Sequence, residues 1–90
     1  MTRDELKTAA DSLRAAAEHA GDDSARERLQ EQARKFDTHA AADRGPDHGR
    51  LAHHEHVLTD IADDQGGETA EHVGSALDSI RAYRETVDGV

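Results

Sequence analysis

The sequence predicts an all-α protein: four short helices forming two tandem helical hairpins that close into an up-down four-helix bundle. Three observations predict it. Apolar residues recur at helical spacing in four successive segments. Glycine and proline interrupt the chain between those segments. No segment alternates β-branched and polar residues as a half-buried strand does. The runner-up architecture for the same pattern is an open pair of hairpins that completes its core by dimerising.

The first helix is expected over residues 3–20. Leu6, Ala9, Ala10, Leu13, Ala16, Ala17 and Ala20 make one stripe, and Thr2 with Glu5 fits a capping box. Its alanine-rich face has high helix propensity but little area to bury, so this helix is expected to pack least. Gly21-Asp22-Asp23-Ser24 follows, read as a C′ glycine and a serine N-cap. The second helix is expected over 24–43, with Ala25, Leu29, Ala33, Phe36 and Ala40 inward and Ser24 and Glu27 as its capping box. Gly45-Pro46-Asp47 is the strongest break, because Pro46 cannot continue a helix and biases Gly45 away from helical dihedrals. The third helix, over 48–64, starts after Asp47 as N-cap and places Leu51, His54, Leu58, Ile61 and Gln65 on its stripe. Gly66-Gly67 ends it. The fourth helix, over 69–87, carries Val73, Ala76, Leu77, Ile80, Tyr83 and Val87, with Thr69 as its cap.

A faint correspondence at an offset of 45 residues supports the hairpin reading. Leu6 matches Leu51, Leu13 matches Leu58, Gly21 matches Gly66, Ser24 matches Thr69 and Ala25 matches Ala70. The chain is expected to be a single helical domain, with hairpins over 1–44 and 48–90 joined by a turn at 45–47.

The chain has 90 residues, few large apolar side chains and a net charge of −9. A domain of this size buries a modest share of its surface. Assistance is therefore expected from helix propensity, salt or a partner. Val73, Leu77, Ile80 and Tyr83, with Phe36 opposite, are the residues expected to share burial with a second chain. Abundant acids, with Lys7 and Lys35 as the only lysines, fit life in molar salt. There the Debye length falls to about 3 Å and carboxylate repulsion is screened. There is no cysteine, no apolar run long enough to span a membrane and no N-terminal apolar leader. A cytoplasmic location is expected.

Seven histidines are the unusual chemistry, four of them between positions 48 and 56. His53 and His56, spaced i, i+3, with Asp60 one turn beyond His56, are the candidate metal ligands. The surrounding motif argues against them. An HExxH helix would need histidine at Leu58, and no histidine has glutamate three residues before it. These histidines are expected on the surface, with no metal affinity tighter than micromolar. His54 falls within the apolar stripe and is expected to be half-buried with its ring hydrogen-bonded. In a functional version of the same placement it is a pH switch whose loss as His54→Leu would abolish acid sensitivity.

Catalytic patterns are missing: there is no cysteine nucleophile, no G-x-S-x-G and no phosphate-binding glycine loop. The chain is expected not to be an enzyme and to use no cofactor. Arg26, Arg28, Arg34 and Lys35 alternate with acids as on a salt-bridged helix surface, and Phe36 and Tyr83 are the only aromatics. Nucleic acid is thus not the expected partner, nor is a membrane.

At Arg44-Gly45-Pro46-Asp47-His48, and again at Tyr83-Arg84-Glu85, the sequence resembles a group of small acidic helical proteins of halophilic archaea with unknown function. The resemblance implies a cytoplasmic haloarchaeal protein and carries over no catalytic residue. The leading expectation is a non-enzymatic interaction or structural module that associates with itself or another protein. The alternatives are a histidine-based metal binder or sensor and a small transcription-associated regulator.

Overall fold

Two of the helix starts in this chain are set by short acidic side chains that accept the free N–H groups of the first turn. Asp22 accepts from the Ala25 amide at 2.7 Å, and Asp47 accepts from the Arg50 amide at 2.8 Å. The computed structural model describes residues 3–87 and contains four helices. They are α1 (Asp4–Glu18), α2 (Asp23–Ala41), α3 (His48–Gln65) and α4 (Gly67–Arg84). No strand occurs among the described residues.

Several expected caps are corrected. α2 begins one residue early because Asp22, not Ser24, caps it, and Ser24 lies inside the first turn. Thr69 also lies inside its helix, buried, with its hydroxyl donating to the Ala16 carbonyl at 3.4 Å. The expected cap at Thr2 lies outside the described residues. α1 ends at Glu18, before Gly21, whose amide instead donates to Gln65 Oε1 at 2.7 Å. α4 ends at Arg84, leaving Val87 beyond it but still packed on the core. Gly66 and Gly67 have φ of 65° and 58°, which side-chain-bearing residues adopt reluctantly, so the α3–α4 turn requires them.

Hairpins α1–α2 and α3–α4 pack onto each other mainly along α1 and α4. These run antiparallel: the start of α4 meets the end of α1 through Thr69 and Ala16, and His19 and Glu68 approach to 3.0 Å. Around the bundle the order is α2, α1, α4, α3. α1 packs extensively on both neighbours and α3 packs on α4, while α2 and α3 scarcely touch.

The core is one cluster, with Leu6, Leu13, Leu29, Phe36, Leu51, Leu58, Val73 and Ile80 fully enclosed. The expectation that α1 packs least is reversed. Ala9, Ala10, Ala16 and Ala17 are buried because small side chains let α2 and α4 both approach its axis. The five residues expected to share burial with a second chain, Phe36, Val73, Leu77, Ile80 and Tyr83, are enclosed within this one, so none offers a free surface. At the far end Gly45 lies against Tyr83 and Arg3. A methyl group there would collide with the Tyr83 hydroxyl, so glycine is required at that turn.

Candidate functional site

The sparse contact between α2 and α3 leaves an open groove of about 820 Å³ between them. α2 contributes Glu31, Arg34, Lys35, Thr38 and His39; α3 and its cap contribute Asp47, Gly49, Arg50, His53 and His54. Helical periodicity decides which of these reach the floor. His54 follows Leu51 by three residues and precedes Leu58 by four, so it shares their buried face. On α2, Gln32 and His39 lie four residues before and three after Phe36, on the core side of the groove wall.

The floor is a hydrogen-bonded chain of three polar side chains. His54 Nδ1 stands 2.7 Å from Gln32 Oε1, and His54 Nε2 stands 3.3 Å from His39 Nε2. An amide oxygen only accepts, so Nδ1 of His54 carries the hydrogen and Nε2 presents its lone pair. The Phe36 ring lies 4.7 Å from that of His54. His54 is 3% exposed, more deeply buried than the sequence led us to expect, and its ring is indeed hydrogen-bonded. Burial pushes its pKa down to about 4, assisted by His39, Lys35, His53 and Arg50. The His39 pKa is also lowered, first by burial and then by Arg50 and Lys35. Both rings are therefore neutral near pH 7.

The rim is cationic. Lys35 pairs with Glu31 at 3.5 Å within α2, and Asp47 is engaged in capping α3. Arg34 and Arg50 have no ion-pair partner among the described residues. Lys7, Arg28 and Arg44 likewise have no ion-pair partner among the described residues, and Arg34 and Arg50 are the two that line this groove.

His53, His56 and Asp60 are not brought together. His56 and Asp60 form an exposed pair at 3.5 Å, while His53 lies on the groove wall with its ring 6.2 Å from that of His54. No group of three or more His, Cys, Asp or Glu side chains among the described residues is arranged to hold a metal ion. His39 and Gln32 were missed in the sequence. The signal was their spacing from Phe36, but it acquires meaning only once α3 is known to lie opposite.

Fold and groove together define a small four-helix bundle with an open, histidine-floored seam. The chain belongs to the Family of unknown function (DUF7553), which matches residues 1–86. No curated protein matches it, and no solved structure does. No helix among the described residues is long and apolar enough to cross a membrane.

Proposed function

We propose that this chain is a non-enzymatic interaction module that receives an acidic segment of a partner protein in the α2–α3 groove. The observation that carries the reading is the pair of unneutralised guanidiniums, Arg34 and Arg50, on the rim of the one helix–helix seam left unpacked. Guanidinium groups recognise carboxylates through two parallel hydrogen bonds, which gives geometric selectivity as well as charge. The apolar residues first assigned to association are spent in the core, so the groove replaces them as the docking surface.

We also infer that the module works in the cytoplasm of a halophilic archaeon. The net charge of −9 and the scarcity of lysine support that setting. In molar salt long-range steering is screened, so contact-range arginine–carboxylate pairs must carry the affinity.

Fluorescence anisotropy with a labelled Asp/Glu-rich peptide in molar KCl tests the proposal. The acidic peptide should bind and an uncharged one of equal length should not. Arg50→Glu should weaken binding at least about tenfold, corresponding to about 1.4 kcal/mol. Light scattering on the same sample reports whether a second copy occupies the groove instead. A dimer that Arg50→Glu dissociates would replace the partner peptide with self-association. Preference for a single-stranded oligonucleotide over the peptide would support the small-regulator reading in its place.

A further inference from the structure

The floor of the groove has a chemistry that peptide docking does not use. Two neutral imidazoles from different helices face each other through the same nitrogen, Nε2 to Nε2, at 3.3 Å. That separation serves a hydrogen bond when one ring donates through Nε2–H to the lone pair of the other. It matches the separation of two ligand atoms on one tetrahedral ion: with zinc–nitrogen bonds of about 2.0–2.1 Å, adjacent ligand nitrogens stand about 3.3–3.4 Å apart.

The groups behind the rings fit the same role. A histidine that binds a metal through one nitrogen usually donates its other N–H to a carbonyl or carboxylate, which fixes the tautomer and aims the lone pair. His54 has that arrangement, with Nδ1–H donating to Gln32 Oε1 at 2.7 Å and Nε2 directed at His39. Phe36 packs against the His54 ring and restricts its rotation. The groove above leaves room for further coordination positions.

We propose that His39 Nε2 and His54 Nε2 form a two-histidine site for a divalent transition-metal ion, Zn²⁺ or Cu²⁺, with the remaining coordination positions open to the groove. Imidazole suits both ions. Binding requires His39 to hold its hydrogen on Nδ1, so both rings coordinate in the neutral form and no proton is released near pH 7. Lys35 and Arg50 oppose a bare dication and Glu31 partly offsets them, so an anionic ligand, hydroxide or a carboxylate, on the open positions completes the charge balance. The site is distinct from the exposed His56–Asp60 pair. It does not rest on the docking proposal, because it can fill with no peptide present.

Isothermal titration of the metal-free protein with ZnCl₂, in the absence of peptide, tests it. One ion should bind per chain, and His39→Ala should abolish the binding. His53→Ala and His56→Ala should leave it unchanged. His39 is half-buried at the groove, whereas truncating the enclosed His54 risks unfolding the chain. Electron paramagnetic resonance of the Cu²⁺-loaded wild-type protein therefore supplies a second readout, and should show hyperfine coupling to two imidazole nitrogens. Absence of binding would overturn the proposal. So would binding that survives His39→Ala, or that His56→Ala removes, either of which places the ion elsewhere.

Discussion

At the residue scale the molecule's acid response is concentrated in His54. Its ring is enclosed beside Phe36, and Lys35 and His39 from α2 together with Arg50 and His53 from α3 all disfavour a further positive charge there. The folded pKa is about 4, against 6.5 for the free side chain. The unfolded chain thus takes up this proton first. The stability associated with a neutral His54 is complete above pH 6.5 and is lost as pH falls from there toward 4. The full loss is about 3 kcal/mol, taking about 1.4 kcal/mol per pH unit. His39, lowered in the same direction, adds to it. Urea unfolding of metal-free protein in EDTA should show this decline, and His54→Leu should flatten it. An equal decline in the variant would assign acid sensitivity to other groups. Much of this was legible in the sequence, because the spacing Leu51, His54, Leu58 puts the ring on the buried face. Its partners were not, since Gln32 and His39 meet it across a seam whose register no local pattern fixes.

At the element scale the helices were legible from their stripes, but their ends were decided by competing side chains. The sequence Asp22-Asp23-Ser24 offers three residues able to cap α2. Asp22 prevails because its carboxylate accepts from the Ala25 amide and also from Gln65 Nε2 at 3.2 Å, a tertiary contact tying the α1–α2 turn to the end of α3. Those bonds, the Ala25 amide first, hold the Asp22 carboxyl below its usual range. Capping at Asp47 had no competitor, and the sequence identified it directly. The two cases predict a contrast in thermal unfolding. Asp47→Ala should cost about 1 kcal/mol, the usual value of a lost N-cap. Ser24→Ala, which the sequence alone would rank equally, should stay within about 0.5 kcal/mol of wild type. A comparable loss from Ser24→Ala would restore it as the cap.

At the scale of the whole molecule the two hairpins are alike in plan and unlike in closure. Residues 45 apart are enclosed together at Leu6 and Leu51 and at Leu13 and Leu58. Between these pairs the correspondence fails, since Ala9 on α1 stands where α3 has His54. A buried alanine admits a close neighbour, and α1 packs tightly between α2 and α4. A buried histidine needs polar partners instead, and α3 meets α2 mainly through Gln32 and His39, leaving the groove. The surface obeys a different constraint. A net charge of −9 on a body 37 × 21 × 16 Å repels itself, and α3 has no basic residue in its last turn, where Asp63 and Asp64 face the negative end of the helix dipole. Raising KCl from about 0.1 M to about 1 M shortens the Debye length from about 10 Å to about 3 Å and should raise the melting temperature. General salting-out would do the same, so Asp63→Asn separates the causes. If repulsion is what salt relieves, this variant should gain about 0.5 kcal/mol in dilute buffer, and the gain should shrink toward zero at 1 M KCl as screening does the same job. A gain that persists undiminished in high salt, or a melting temperature indifferent to KCl, would mean that the acidic surface is not what limits stability.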